Sequence, residues 1–350
     1  MKKLKYLLVF SVPATVYISF HTQGLTCYLP AFVFFGFVPF LELIIPKKWN
    51  QSAATEQQLH EGKRFYNLLL YLQVPIVWYF IYEFLSLPLT TTDPTTTWGQ
   101  VTSMGIMCGI IGINLGHELG HRQHPLERLL GELLLLSSLE NHFLPYHNRG
   151  HHTNVATPHD PATARKNEWL FVFWLRSHFG SYLQAWQIER QRMRILKRNS
   201  WHYSNKMIQY SIAQLTLLAS IYFTTSLSML CYFAIAALIG ILLLETVNYI
   251  EHYGLLRKQN EFGKYEVVKR HHSWNSNHLL GRAILFELSR HSEHHYKPDL
   301  HYQYLDSKAG APTMPTGYPG MMLLSFIPPI FFRIMNPMVA NTLKTEDSNQ

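Results

Sequence analysis

Cysteine is scarce in this chain. Cys27, Cys108 and Cys231 are the three in 350 residues; each lies in an apolar stretch and none forms a CxxC pair. That pattern argues against a disulfide framework and against a thiolate metal site. Imidazole and carboxylate remain as metal-binding groups. Charge is sparse too: 15% of residues are charged against 47% hydrophobic, and the apolar ones are gathered into long runs. Such runs belong to an integral membrane protein, here read as one domain over 1–336 followed by a polar tail, 337–350. No internal repeat is evident.

Six stretches reach the roughly 17–25 residues that a bilayer crossing needs: about 4–20, 26–45, 65–87, 98–116, 207–225 and 227–249. The fold class is therefore all-α integral membrane with six transmembrane helices. The basic start MKKLK resembles that of a signal peptide, but no small-residue cleavage site follows, so the first helix is read as retained. Lys and Arg are missing from the connections near His21–Leu25, Pro88–Thr97 and Ser226. All thirty fall elsewhere: three through Lys5, four in Lys47–Arg64, twelve in Arg122–Lys206 and eleven from Arg257 onward. Basic residues favour the cytoplasmic side, which places both termini there, in the inner membrane of a cell. The net charge of +8 then reports topology and attraction to anionic lipid, without calling for nucleic acid. The segment Pro125–Leu139 is apolar but short, and is read as dipping into the interface or packing beneath the cytoplasmic side rather than spanning.

Histidine is the abundant exception. Nine of twenty form tight groups on the inner side: His117 and His121; His147, His151 and His152; His252; His291, His294 and His295. Folding could gather them as a histidine-rich helical cap. In HELGH the two imidazoles are four apart and share a helix face. The spacings His147/His151 and His291/His294 likewise return a helix to one face, leaving the adjacent histidine about 100° away for a second metal. Nine neutral ligands exceed what one structural zinc needs, so two ions sharing the set is the economical reading. The other eleven histidines read as ordinary, with His142 and His271, His272 and His278 the first to reconsider.

Gly105, Gly109, Gly112, Gly116 and Gly120 make a bare stripe leading to His117 and His121. Close helix packing is its plain explanation. A smooth wall for an apolar channel, with Gly105, Gly109, Gly112 and Gly116 lining it, is the functional one. Glu42, Glu83 and Glu245 are costly in hydrocarbon and should face the bundle or an interface.

The set HELGH, HNRGHH, NYIEHYGLL and RHSEHH, in this order, resembles the integral-membrane alkane monooxygenases, relatives of the membrane fatty-acid desaturases and hydroxylases. The likeness spans roughly 30–330, through Ala156-Thr157-Pro158 with Asp160-Pro161-Ala162 and Ser273 to His278, and NYIEHYGL is its narrower marker. It implies a non-haem diiron centre with two iron ions held by His117, His121, His147, His151, His152, His252, His291, His294 and His295. It also implies terminal hydroxylation of medium or long n-alkanes with O2, and electrons from rubredoxin and its reductase, supplied in trans because the chain lacks a four-cysteine iron site. Where the family often has Glu before the second box this chain has Tyr146, which passes any carboxylate role there to a residue such as Glu140; Arg122 replaces a frequent Lys. Glu118, Glu140, Asp160, Glu245, Glu251 and Glu293 are carboxylates that could take the second N–H of a ligating histidine. Two alternatives stay open: an acyl desaturase or hydroxylase with the same boxes, and, from HELGH alone, an intramembrane zinc protease. A metal transporter fits less well, because the ligands lie at the ends of the spans.

Overall fold

The computed structural model describes residues 3–45, 63–307 and 310–348. Most of the Lys47–Arg64 connection, with His60, lies outside them. Among the described residues no strand forms, and isolated bridges are the sole extended pairings.

Each of the six expected stretches is helical. They are α1 (Leu4–Phe20), α2 (Gly24–Ile44), α3 (Lys63–Ser86), α4 (Pro94–Gly120), and, past the 120s to 190s, a hairpin of Lys206–Thr224 and Leu227–His252 turning at Thr225 and Ser226. Four are long and apolar enough to cross a membrane: α2, α3, α4 and Leu227–His252. Leu4–Phe20 is shorter, and Lys206–Thr224 is diluted by Gln209, Ser211, Gln214 and Ser220. Helix starts are locally encoded: Asp93 caps α4 by accepting from Thr96 N–H, ahead of Pro94. Asn205 and Ser226 cap the hairpin helices in the same way.

The segment between α4 and the hairpin is more helical than its sequence suggests. It holds α5 (Pro125–Leu136) and α6, which runs as Phe143–Tyr146, a π-helical His147–His151, then His152–Asn154. It also holds α7 (Leu170–Ile195), of 26 residues. One face of α7 buries Phe173, Ser177, Ser181 and Ala185, while Phe171, Leu175, Phe179 and Leu183 remain exposed. That two-sided composition suits a helix lying along an apolar boundary. The hairpin helices are α8 (Lys206–Thr224) and α9 (Leu227–His252). Shorter helices follow: α10 (Leu279–Ile284), α11 (His291–Tyr296) and α12 (Tyr318–Ser325). The last, α13 (Pro328–Ser348), runs across Pro337, so the tail boundary expected there falls inside a helix. Val339 explains why: it is buried against Gly254.

Helix α4 is the central post, with 83% of its apolar window buried. Its glycine stripe is mainly a packing groove. A Cβ on Gly105 would come within 2.6 Å of the Ile239 Cβ on α9, one on Gly112 within 2.4 Å of Ser137 Oγ, and one on Gly116 within 2.8 Å of Leu135. The channel expected along Gly105, Gly112 and Gly116 is thus filled by α5 and its following turn, and by α9. Gly109 alone of the stripe also borders open space. At the histidine end, α1 is tied down by charge: buried Glu287 accepts from Lys5 (2.5 Å), Tyr6 (2.8 Å) and Arg282 (2.6 Å).

Replacing Gly105 by leucine should lower the thermal unfolding midpoint in detergent, by the order of 1–3 kcal/mol that overpacking costs. Gly36→Ala, which meets open space, is the matched control and should leave it unchanged.

Candidate metal centre

Three short helical pieces and the end of α9 carry the nine histidines. Cys108–Ile113 of α4 is π-helical, and ordinary α-helix resumes at Asn114, which turns His117 and His121 together off one face. Their Nε2 atoms lie 3.1 Å apart. His147 Nε2 meets His121 at 3.1 Å and His152 at 3.0 Å, and His294 meets His117 at 3.1 Å. His117, His121, His147, His152 and His294 thus form one group. His151, His252, His291 and His295 form another, with Nε2 contacts of 3.2 Å (His151–His295), 3.1 Å (His291–His252) and 2.8 Å (His295–His291).

The division differs from the one that spacing predicts. His147 partners His152, not His151, because a π-helical turn bonds i to i+5 and so aligns residues five apart. His291 partners His295, four residues on along α11, and His294 swings to the other group. Only the His117/His121 pairing follows its spacing directly.

A neutral imidazole has a single N–H. His117, His121 and His147 each place Nε2 about 3 Å from two other Nε2 atoms, yet an Nε2 has one in-plane site, a hydrogen or a lone pair, and cannot serve both. Lone pairs converging on a shared cation resolve the conflict, so the donor set fits metal. Burial first, and then neighbouring imidazoles, hold His121, His147, His152, His291 and His295 well below the usual range, and bring His294 to about 3. These rings are neutral, the form that ligates.

The surrounding carboxylates divide. Asp160 Oδ2 accepts from His151 Nδ1 at 2.9 Å and is itself held by Thr163 (2.6 Å), while Tyr146 donates to Oδ1 at 2.6 Å. This fixes the His151 tautomer with its Nε2 lone pair inward, and gives Tyr146 its task as a support for Asp160. Glu251, fixed by Tyr318 at 2.6 Å, puts Oε2 3.2 Å from His291 Nε2, on the ligating side of the ring rather than behind it. Glu118 is taken by Arg122 (2.8 Å) and Tyr302 N–H, so HELGH does not present a free base of the protease kind. Glu293 pairs with Arg270 (2.7 Å), and Glu245 accepts from Asn248 (3.4 Å). Glu140 lies apart, beside His142 and His178. Sequence reasoning missed Ser273, whose hydroxyl is 3.5 Å from His252 Nδ1, and Phe143, whose ring stacks on His147 at 4.5 Å. Phe143 stands four residues before His147, a signal that helical spacing offers.

An apolar cavity of about 80 Å³ ends on the centre. Gly109, Ile113, Leu243, Val247 and Phe143 line it, and His117 and His291, one from each group, close its inner end.

The profile of the family described as "Fatty acid desaturase" matches residues 94–324. The chain is 36% identical over 349 residues to an "Alkane 1-monooxygenase" of Ectopseudomonas oleovorans, covering 97% of this chain and 86% of that one. It is also 36% identical over 356 residues to "Alkane 1-monooxygenase 1" of Alcanivorax borkumensis (96% and 85%). A xylene/toluene monooxygenase hydroxylase component of Pseudomonas putida matches at 26% over 339 residues (96% and 88%).

In the metal-free protein, unfolded imidazoles take up protons near pH 6.5, whereas these buried ones do so only at much lower pH. The stability they contribute is therefore present above about pH 6.5 and lost as pH falls toward 3. The unfolding midpoint of metal-free protein should drop between pH 7.5 and pH 5; a flat profile would contradict neutral burial.

Proposed function

Since the chain belongs to the alkane 1-monooxygenase family, within the fatty acid desaturase family, and is an oxidoreductase, we propose that it hydroxylates n-alkanes of medium or long chain at the terminal carbon with O2. The observation that carries this reading is the apolar cavity closed by one histidine from each group. An alkyl chain lying in it is stripped of water and brings its end carbon to the centre.

The nine histidines are the proposed ligands of two iron ions, His117, His121, His147, His152 and His294 holding one and His151, His252, His291 and His295 the other. When bound, iron supplies the reductive activation of O2 that an unreactive C–H bond requires, using two electrons and two protons per turnover. The protein supplies placement. Asp160 holds His151 in the ligating tautomer, Phe143 fixes the plane of His147, and Glu251 offers an oxygen beside His291. Gly109, Leu243 and Val247 confine the chain laterally.

Electrons come from rubredoxin and its reductase in trans, and the basic histidine end is the proposed dock for that acidic carrier. The six helices α1, α2, α3, α4, α8 and α9 are the proposed crossings, in the inner membrane, with both termini and the histidine cap cytoplasmic and residues 1–336 acting as one domain. Contact of Lys5 with Glu287, four residues before His291, supports an amino terminus on the histidine side.

Protein purified with its metal retained should carry two irons per chain and, with rubredoxin and reductase, convert a series of n-alkanes to 1-alkanols. Absence of iron, or an unsaturated acyl product with no alkanol, would sink the reading. Asp160→Asn should bind iron about 10–100-fold more weakly, the usual loss when such a support is removed; unchanged affinity in a metal-competition titration would mean that Asp160 does not orient His151.

A further inference from the structure

Glu140 sits in an arrangement that the nine-histidine centre does not explain. It is 1% exposed, and its Oε2 has no hydrogen-bond partner. Its Oε1 lies 3.4 Å from His142 Nε2 and 3.7 Å from His178 Nδ1, and His178 Nδ1 also lacks a hydrogen-bond partner. These separations are long for charge-assisted hydrogen bonds, which run at about 2.7–2.9 Å. The shorter one matches the edge of a tetrahedron around an ion bound at roughly 2.0–2.1 Å, which is about 3.3–3.4 Å, and the longer exceeds that edge by about 0.3 Å. Octahedral ligands at similar bond lengths would stand about 3.0 Å apart.

Charge points the same way. Among the described residues the ion-pair partners of Glu140 are His142 and His178, and no Lys or Arg is paired with it. Burying an uncompensated carboxylate is expensive, and a divalent ion removes that cost.

We propose that Glu140, His142 and His178 bind a zinc ion, separate from the nine-histidine centre. One carboxylate oxygen and two imidazole nitrogens, all within 4.8 Å of one another, make a three-ligand set with a fourth position for water. His178, with its side chain 30% exposed, gives the ion its way in, and the other two ligands are buried. The site joins α7, which carries His178, to the turn after α5, where Leu139 takes a positive φ of 58°. His142 is followed directly by Phe143, the ring stacked on His147. Zinc here therefore pins the turn between α5 and α6 against α7, a structural task apart from the main centre.

The test is elemental analysis of full-length protein purified in detergent with zinc supplied, beside His178→Ala and the isosteric Glu140→Gln. The parent should hold one more zinc per chain than either variant, with iron content equal in all three and a thermal midpoint raised by zinc in the parent alone. Equal zinc in parent and variants overturns the proposal, as does zinc-free parent protein that retains its iron. If zinc instead fills the nine-histidine centre, the diiron reading fails, yet the difference of one zinc between parent and variants still decides this site. Should Glu140→Gln fail to fold, His178→Ala, at a partly exposed position, decides alone.

Discussion

Nine imidazole nitrogens aimed inward at one dry region are the constraint around which this protein is built. Each brings a lone pair, and burial keeps His121, His147 and His291, beyond the spans, neutral. Without a cation such a set is frustrated, because an Nε2 has one in-plane site, a hydrogen or a lone pair, and several of these face two neighbours near 3 Å. The cost is met only if backbone geometry holds every ring in place. Much of the fold serves that end.

Helix geometry does the aiming. A π-helical stretch precedes His117, a second contains His147 and His151, and a regular α-helical turn joins His291 to His295. These local changes of pitch decide which histidine serves which group. Larger elements then bring the pieces together. The bare stripe of α4 lets α5 and α9 approach closely, so that α9 delivers His252 beside His291 while the cavity stays open next to Gly109. Supports such as Asp160, with its own partners Thr163 and Tyr146, fix the rings from behind. Tyr146 is instructive: it is not a lost carboxylate, since it acts through one fourteen residues away.

Legibility in the sequence followed the range of the interaction. The HELGH histidines share a face as their spacing predicts, because i, i+4 on an α-helix is a local rule. The same rule failed at HNRGHH, where the backbone is π-helical, and nothing in five residues announces that change of pitch. Helix α7 is absent from the six expected stretches because its apolar residues spread over two faces, so no single stripe marks it. Glu140 was taken for a support of the main centre and stands instead with His142 and His178, a grouping made by the packing of α7 on a turn more than thirty residues earlier.

Composition and spacing by themselves determined that this is a helical chain with long apolar helices, and that its histidines come in clusters at helix ends suited to binding metal. These properties depend on hydrophobicity and helical period, which neighbouring residues carry. Only the tertiary structure decided how the nine histidines divide, that the glycine stripe is chiefly a packing groove, and which carboxylate faces which ring. Those outcomes depend on distances between residues up to 177 positions apart, as in His117 and His294, and such distances are set by how helices pack rather than by any local pattern.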